Sequence, residues 1–477
     1  LNNYSGPDWF ISESGNDTTA TGASGNPFRS IQAALNFGSD DNTAYVSAGT
    51  YNENLVYRYD QSSSIRSVSL IGENKETTII DGQQIAACIK LPMNGYSSPL
   101  IKNFTIRNGY ANGEMENGVY NQGGGIHIPP NYYPIYLSDL IIENCTSELD
   151  GGGIFSDGSS LEMSNVQISN NSAGIKGGGI YFYSGGDPLD YTLNIENSYI
   201  NGNSSNNKGG GVYIAKSLYI PIVQLSNTTV SNNTSLYNDG GGVSLNEVNA
   251  TFENCIISEN TAANGAGINS VSSTVTVNNS SISDNVASAN GGGVFLHLSN
   301  SIMDNVTVSG NTAEGNLGGG GIYANSSSPT LTNVTITGNA VTHYGGGLYC
   351  SATSSPVLQN VTITDNLANM YGGGIYIFDS STLTLDQVTI VGNTALVNGG
   401  GLYSEFVTSV SAINTILWNN GPQEIFLYGE TDALTVSYSD VLGGQDSIVN
   451  NNNGTITWGD GNINLNPLFC STDNNDY

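Results

Sequence analysis

The feature that most constrains this chain is a glycine cluster followed by a branched aliphatic residue, which returns along most of its length. The stretch "GGGLY" at Gly345 to Tyr349 is one copy. The aliphatic residues after the clusters lie 25 to 32 residues apart: Ile126, Ile154, Ile180, Val212, Val243, Ile268, Val294, Ile322, Leu348, Ile375 and Leu402. A regular spacing in this range indicates a repeat architecture, whose units are too small to fold alone and bury their faces on their neighbours.

A second motif, N-x-x-[IV]-x-x-N, lies between the clusters. It reads "NVTITGN" at 333–339 and "NVTITDN" at 360–366. Its apolar positions alternate with period two, as in a strand with one buried face. Short strands joined by turns, with no helix and no hairpin signal, predict coils that pair in parallel, with the right-handed crossover that such connections prefer. The L-x-x-L-x-L pattern of leucine-rich repeats is missing, and a propeller needs repeats of about 40 residues or more.

Residues at one position in successive coils should form columns along the coil axis. We expect Val334 to lie beside Val361, and the glycines to allow sharp turns and close backbone approach. The closing asparagines should adopt the left-handed conformation and bond to one another in a ladder. They are Asn171, Asn203, Asn233, Asn260, Asn285, Asn311, Asn339, Asn366, Asn393 and Asn420.

The charge balance excludes several classes of partner. The 477 residues include 40 acidic and 10 basic side chains, a formal net charge of −30, and no Lys or Arg follows Lys216. Nucleic-acid binding and docking to an anionic membrane both rest on such cations, so neither is expected. No run of about 20 apolar residues is present, so no membrane insertion is expected either. An acidic glycan would need a bridging cation.

The five cysteines are far apart and in no metal-ligand spacing. They are Cys88, Cys145, Cys255, Cys350 and Cys470. Cys145 stands at an asparagine position and Cys255 at a valine position of the repeat. We interpret most of the five as buried thiols, and core packing explains these two better than redox chemistry does.

The repeats have a familiar form. "GGGIY" followed by "NVTITGN" resembles the repeats of secreted right-handed parallel β-helix proteins of the pectin-lyase-like superfamily. The pattern is similar in particular to the GGA[ILV] repeats of polymorphic outer-membrane proteins and related adhesins. "PFRSIQAAL" and "AYVSAGTYNENL" resemble the entry segment of bacterial members, with a short helix that caps the first coil. "INLNPLFCSTDNNDY" resembles their closing segment. That segment usually continues toward a sorting or anchoring domain.

The predicted fold is therefore an all-β, single-stranded, right-handed parallel β-helix with a short N-terminal helical cap. Residues 1–80 would hold the cap and first coils, residues 81–420 the regular coils, and residues 421–477 the last coils and the start of the closing segment. The resemblance implies a secreted or cell-surface protein. Its further partner would be secretion or anchoring machinery, reached through a C-terminal region beyond this chain.

An enzymatic function is one alternative, because many members of the superfamily cleave polysaccharides. The polygalacturonase-like signatures and the arginine-rich site of pectate lyases are absent from the sequence. The best remaining cluster, in a groove of the N-terminal half, would combine Asp81, Lys90, Lys102, Arg107 and His127. Their spacing does not require them to converge, so an ordinary surface is the favoured interpretation.

Charged residues occupy one position in four consecutive coils, just before the glycine cluster. They are Asp150, Lys176, Lys208 and Asp239. They could supply a catalytic base with metal-binding carboxylates. The favoured interpretation is a stack of opposite charges, each pair contributing about 0.2–1 kcal/mol. His127, His297 and His343 fall at different positions, so they form no metal-binding pair.

The candidate ligand-binding residues are four tyrosines that follow the aliphatic residue in successive coils, Tyr323, Tyr349, Tyr376 and Tyr403. We expect them to point outward and to form an exposed ladder. Such rings could simply stabilise one another. They could also bind neutral sugar rings or another protein surface.

No cofactor is expected. "WGDGNINLN" at 458–466 offers alternating oxygens for Ca²⁺ but lacks a full calcium-loop consensus. The sequence favours an adhesive, structural or glycan-binding protein without catalysis. A polysaccharide lyase or glycoside hydrolase is one alternative, and a passive stalk for a domain outside this chain is another.

Overall fold

The computed structural model describes residues 6–39, 41–57, 67–93, 98–116, 119–185, 191–452 and 454–469. The chain divides into two compact units, residues 1–237 and 238–477. In each unit, coils of short parallel strands form three sheets, which we number by their order along a coil. The first sheet follows the glycine clusters, the second contains the N-x-x-[IV] motif, and the third follows the closing asparagine. The predicted right-handed parallel β-helix is confirmed.

A single short α-helix, Ile31–Phe37, lies near the start of the described chain. The Ser30 hydroxyl caps it by accepting a 3.2 Å hydrogen bond from the Ala33 N–H. Ile31, Ala34 and Leu35 form its buried face. The predicted N-terminal helix is therefore confirmed.

Unit 1 contains the following elements. Its first sheet has the strands Leu55–Val56, Ile89–Lys90, Ile126–Ile128, Ile154–Asp157, Ile180–Tyr183 and Val212–Ala215. Its second sheet has Asp8–Ile11, Thr43–Val46, Gly49–Tyr51, Ser69–Gly72, Thr78–Asp81, Leu100–Arg107, Ile135–Glu143, Leu161–Ser169, Thr192–Glu196, Tyr199–Asn201, Ile222–Ser226 and Thr229–Ser231. Its third sheet has Tyr110–Ala111, Thr146–Ser147, Ser172–Ala173, Ser204–Ser205 and Thr234–Ser235. Met115–Glu116 and Val119–Tyr120 form a separate antiparallel pair.

Unit 2 repeats this plan. Its first sheet has the strands Val243–Asn246, Ile268–Val271, Val294–His297, Ile322–Asn325, Leu348–Ser351, Ile375–Phe378, Leu402–Glu405, Ile425–Leu427 and Val449–Asn450. Its second sheet has Asn249–Glu253, Ile256–Ser258, Thr274–Asn278, Ser281–Ser283, Ile302–Asp304, Thr307–Ser309, Thr330–Thr332, Thr335–Thr337, Val357–Gln359, Thr362–Thr364, Thr382–Asp386, Thr389–Val391, Ser409–Ile413, Ile416–Trp418, Ala433–Ser437, Asp440–Val441 and Thr455–Trp458. Its third sheet has Thr261–Asn264, Val286–Asn290, Thr312–Ala313, Ala340–Val341, Leu367–Ala368 and Thr394–Ala395, and a 3-10 turn spans Gln445–Ser447.

Successive coils lie in register, as the alternating pattern predicts. Val334 and Val361 are both buried, and the N–H of Thr362 donates to the carbonyl of Val334 at 2.9 Å. Ile336 pairs with Ile363 in the neighbouring strand, and both are fully buried. Apolar columns of this kind fill the interior of each unit, so burial of one strand face supplies its main stabilisation.

Each glycine cluster meets two separate demands. Gly345 has a φ of +68°, which glycine adopts without steric cost. A Cβ on Gly346 would lie 2.4 Å from the carbonyl oxygen of Gly373, and one on Gly347 would lie 2.7 Å from that of Gly374. The first glycine therefore makes the turn, and the next two allow neighbouring coils to approach closely.

The closing asparagines form buried ladders within each unit. The Oδ1 of Asn366 accepts from the backbone N–H and the Nδ2 of Asn339, both at 2.9 Å. The predicted left-handed conformation belongs to other residues, including Asp365 (φ 55°) and Asn360 (φ 53°). That part of the prediction is wrong. The preceding residue makes the turn, which leaves the closing side chain directed into the core.

The cysteine prediction holds for the described residues. Cys88, Cys145, Cys255 and Cys350 are buried thiols, and Cys470 lies outside the described residues. The helices of the described segments include none that is long and apolar enough to span a membrane.

Candidate functional site

The four candidate tyrosines form a column in unit 2, but they are buried. Tyr349 pairs in register with Tyr323 and Tyr376, and Tyr376 pairs with Tyr403. Ring centroids are 4.6 Å apart for Tyr323 and Tyr349, and 5.2 Å apart for Tyr376 and Tyr403. All four side chains are only 2–4% exposed. The predicted ladder exists, but the expectation that it is exposed is wrong.

A second tier of tyrosines explains this burial. Tyr344 stacks 4.9 Å from Tyr376, and Tyr371 stacks 4.6 Å from Tyr403. These outer rings are themselves half-buried and stack on each other at 5.7 Å. Each ring covers the face of another, and a sugar needs an open face to pack against. That Tyr323, Tyr349, Tyr376 and Tyr403 bind a ligand stays a prediction.

Unit 1 contains a groove made of two adjoining cavities of about 130 and 240 Å³, which we name the N-terminal groove. Gln122 and His127 line both cavities. The smaller cavity is also lined by Asn54, Val56, Ile85, Ala86, Ala87, Lys90, Tyr110, Ala111, Asn112 and Asn121. The larger is also lined by Met93, Tyr120, Pro129, Pro130, Phe155 and Asp157.

Two additions to the repeat build this groove. The first is the antiparallel pair that contains Tyr120. The segment is anchored where the N–H of Asn121 donates to the carbonyl of Glu114 at 2.9 Å and its Nδ2 donates to Oδ1 of Asn112 at 3.1 Å. Tyr120 is 49% exposed, so its ring is open to solvent.

The second addition is the segment "PPNYYP" at 129–134, between the strands Ile126–Ile128 and Ile135–Glu143. The buried Asn131 fixes it by donating from Nδ2 to the carbonyls of Pro129 at 3.0 Å and Pro92 at 3.1 Å. The two prolines are thereby held as a rigid apolar wall of the larger cavity.

His127 is a neutral acceptor at the junction of the cavities. It is buried and stacks on Phe155 at 5.3 Å. Burial lowers its pKa to about 4, with a smaller contribution from the Lys90 charge, so the ring is uncharged at pH 7. Because Nδ1 lies 2.8 Å from the carbonyl of Gln122, that nitrogen carries the proton and Nε2 has a free lone pair.

The other polar groups of the groove complete a mixed set of donors and acceptors. Lys90 Nζ donates to Oδ1 of Asn121 at 3.3 Å. Burial raises the pKa of Asp157. The Oε1 of Gln122 is buried without a hydrogen-bond partner. A polar, hydroxyl-bearing ligand would find both kinds of partner here.

Of the five residues proposed for an N-terminal active site, the structure brings only Lys90 and His127 to the groove, on paired strands. Arg107 Nε lies 2.8 Å from Oδ2 of Asp81. Lys102 Nζ lies 3.4 Å from Oδ2 of Asp139. These two ion pairs account for the remaining three residues.

The predicted charge stack of unit 1 is present in modified form. Asp150 Oδ1 accepts from the backbone N–H of Lys176 at 3.0 Å, while the Lys176 ammonium lies 4.8 Å from the centre of the Tyr213 ring. The backbones of Lys176 and Lys208, in successive coils, form an isolated parallel β-bridge. Burial raises the pKa of Asp150 to about 6, although the positive charge of Lys176 lowers it.

The remaining candidates lie in unit 2 and make local contacts. Asp239 accepts from Asn264 at 2.8 Å, and His297 Nδ1 lies 2.9 Å from Oδ1 of Asn325. His343 Nδ1 lies 3.1 Å from the carbonyl of Gly315. Within the described ranges, no group of three or more His, Cys, Asp and Glu side chains could hold a metal ion.

The fold defines a parallel β-helix protein, and the match to a family model agrees. The model described as "Right handed beta helix region" matches residues 177–333 and 290–415, which together span just over half of the chain. The chain belongs to this family. The Chlamydia polymorphic membrane protein repeat also matches, over residues 165–183. No curated protein sequence matches the chain.

Several solved structures are similar at low sequence identity. The complex of XylC with xylose is 10% identical, with a TM-score of 0.42 over 79% of this chain and 83% of that one. The A-module of the Azotobacter vinelandii mannuronan C-5 epimerase AlgE6 is 14% identical, with a TM-score of 0.32 over 92% and 94%. Pectate lyase Pel9A is 13% identical, with a TM-score of 0.26 over 98% and 84%.

Proposed function

We propose that this protein is a surface-located β-helix adhesin that binds neutral glycans in the N-terminal groove without cleaving them. The observation that carries the proposal is the composition of the larger cavity. Its lining combines an exposed tyrosine and two fixed prolines with a carboxylate and a neutral imidazole. The apolar wall suits one face of a sugar ring, and the polar groups suit the hydroxyls at its edge.

The polar groups favour hydroxyls over acidic substituents. Asp157 and the Nε2 of His127 both accept hydrogen bonds, which a sugar hydroxyl can donate. A uronate carboxylate would meet the Asp157 carboxylate and the field of a chain with a net charge of −30. Lys90 is placed in the smaller cavity, where it can donate to a ring or hydroxyl oxygen.

The surface location is supported by the match to a polymorphic membrane protein repeat. Secretion or anchoring machinery remains the expected further partner. Under this proposal unit 2 has a mainly structural role. The passive-stalk alternative assigns a structural role to unit 1 as well.

The test is binding of the full chain to a panel of neutral and acidic oligosaccharides, measured by calorimetry. We expect a neutral oligosaccharide to bind, and Tyr120→Ala and Asp157→Asn each to weaken its affinity at least about tenfold. Tyr237→Ala is the matched control, because Tyr237 is 75% exposed in the same unit and lines neither cavity.

Two outcomes would overturn the proposal. One is no binding to any member of the panel. The other is binding that survives both groove substitutions. If Tyr349→Phe or Tyr344→Ala abolished binding while the groove variants retained it, the site would belong to the tyrosine column of unit 2.

Glycan cleavage is a second candidate, favoured by two carboxyl groups of unit 1 with raised pKa values. Burial brings the pKa of Asp150 to about 6 and raises that of Asp157. A carboxyl group that keeps its proton near neutral pH can act as a general acid. Released oligosaccharides after incubation with the same panel, abolished by Asp150→Asn, would replace binding with cleavage as the function.

A further inference from the structure

Two buried cysteines of unit 1 lie on neighbouring coils. Cys88 and Cys145 are both fully buried, and both sulfurs lie beside Gly109. The Cys88 thiol also lies 3.1 Å from the carbonyl of Arg107, and the Cys145 thiol 3.2 Å from that of Glu143. Arg107 and Glu143 are paired in register, which holds the two thiols on adjacent coils.

Three departures from the repeat coincide at this place. Cys88 precedes Ile89 as the third glycine of a cluster precedes Ile126, and Ile89 pairs with Ile126. Cys145 stands in the asparagine column, where its N–H donates to Oδ1 of Asn171 at 2.9 Å. The third departure is a glycine one coil earlier in that column.

That glycine, Gly109, provides the room for the pair. Its N–H donates to the sulfur of Cys145 at 3.5 Å, and a Cβ on it would lie 2.9 Å from the sulfur of Cys88. An asparagine at this position, as elsewhere in the column, would occupy the space of the Cys88 thiol. A role in bringing two sulfurs together explains Cys88, Gly109 and Cys145 at once.

We propose that Cys88 and Cys145 form a disulfide bond when the protein folds in an oxidising compartment. The thiolate of one cysteine attacks an external disulfide, such as glutathione disulfide or that of a thiol oxidase, and releases its reduced half. The second thiolate then attacks the mixed disulfide, expels the remaining carrier thiol and closes the Cys88–Cys145 bond. Two protons and two electrons pass to the carrier. Because both sulfurs are buried in the folded chain, the reaction precedes closure of these coils.

The bond would link neighbouring coils at the N-terminal end of the asparagine ladder. There Cys145 precedes Asn171 in the column, and Gly109, one coil earlier, has no side chain. Cys88 also lies two residues before Lys90 of the N-terminal groove. The bond would therefore hold the strand that carries Lys90. This inference is independent of glycan binding.

Peptide mapping tests the bond directly. The full chain is produced once by export into an oxidising compartment and once in a reducing cytosol, then alkylated under denaturing conditions and digested with trypsin. In the exported protein we expect the peptide 76–90 to be linked to the peptide 108–176, at two hydrogens below their summed mass. The cytosolic protein should give both peptides alkylated.

Thermal unfolding supplies a second readout. The exported protein should melt about 5 °C or more above the protein made in the reducing cytosol. Cys145→Asn, which restores the repeat residue and should fold, should abolish this difference, whereas Cys350→Ser should keep it. Exported protein with both cysteines alkylated, or with either linked elsewhere, would overturn the proposal.

Discussion

Replacing Asn366 by alanine should destabilise unit 2 more than almost any other single polar change. Its side chain is 1% exposed and makes four hydrogen bonds. It accepts from the N–H and the Nδ2 of Asn339, and it donates to the carbonyl of Ile336 and to Oδ1 of Asn393, all at 2.9 Å. The Asn339 side chain keeps one acceptor, the carbonyl of Val308. The Asn339 backbone N–H loses its acceptor, Oδ1 of Asn366.

The expected loss follows from these bonds. A buried donor left without a partner costs about 1–3 kcal/mol, and each of the three further bonds lost costs about 1 kcal/mol net, so we expect about 4–6 kcal/mol in all. Urea unfolding of the full chain, followed by far-UV circular dichroism, measures it. Asn360→Gly is the control, because the exposed Asn360 makes a similar bond to Asn333 and has a φ of 53°, which glycine tolerates. Equal losses in the two variants would refute the buried ladder.

Three further predictions concern stability. Burial raises the pKa of Glu424, which accepts from Asn420 at the end of the ladder, to about 7. The folded state therefore holds this proton more tightly than the unfolded chain. The protonated Glu424 stabilises the folded state by about 3 kcal/mol below about pH 4.5, and this stabilisation is lost as the pH rises through about 7. Glu424→Gln should remove that part of the pH dependence of urea midpoints, and an unchanged dependence would contradict it. Tyr349→Ala should cost about 3–5 kcal/mol, because the ring is buried, and Tyr349→Phe less than about 1 kcal/mol; similar melting temperatures for the two variants would count against the buried column. Gly346→Ala should lower the melting temperature more than Gly338→Ala, because a Cβ at position 346 would overlap the Gly373 carbonyl. At position 338 the only cost is the backbone φ of +62°.

The repeat predicted the fold because each coil meets the same physical demands. Period-two alternation fixed which face of each strand is buried, and the spacing of Val334 and Val361 placed them in one column. The identity of the left-handed residue was harder to predict. Asn occurs at both the opening and the closing position of the motif, and only the coil geometry shows which of them turns the chain.

The site was predicted less well, because it is formed where the repeat is broken. Tyr349 was expected to be exposed, but its column is covered by Tyr344 and Tyr371, which stack on Tyr376 and Tyr403. These two outer tyrosines precede glycine clusters and are covered by no periodic rule. The groove could have been sought in the sequence. Ile89 and Ile126 hold the same position in successive coils, yet they lie farther apart than any neighbours in the repeat series.

Hydrogen–deuterium exchange of the full chain, with and without the neutral oligosaccharide that binds most tightly, tests the central claim most directly. We expect the sugar to protect peptides covering residues 86–93 and 119–130, with little change in unit 2. Protection centred on residues 344–376, or bound sugar with no protection in unit 1, would contradict it.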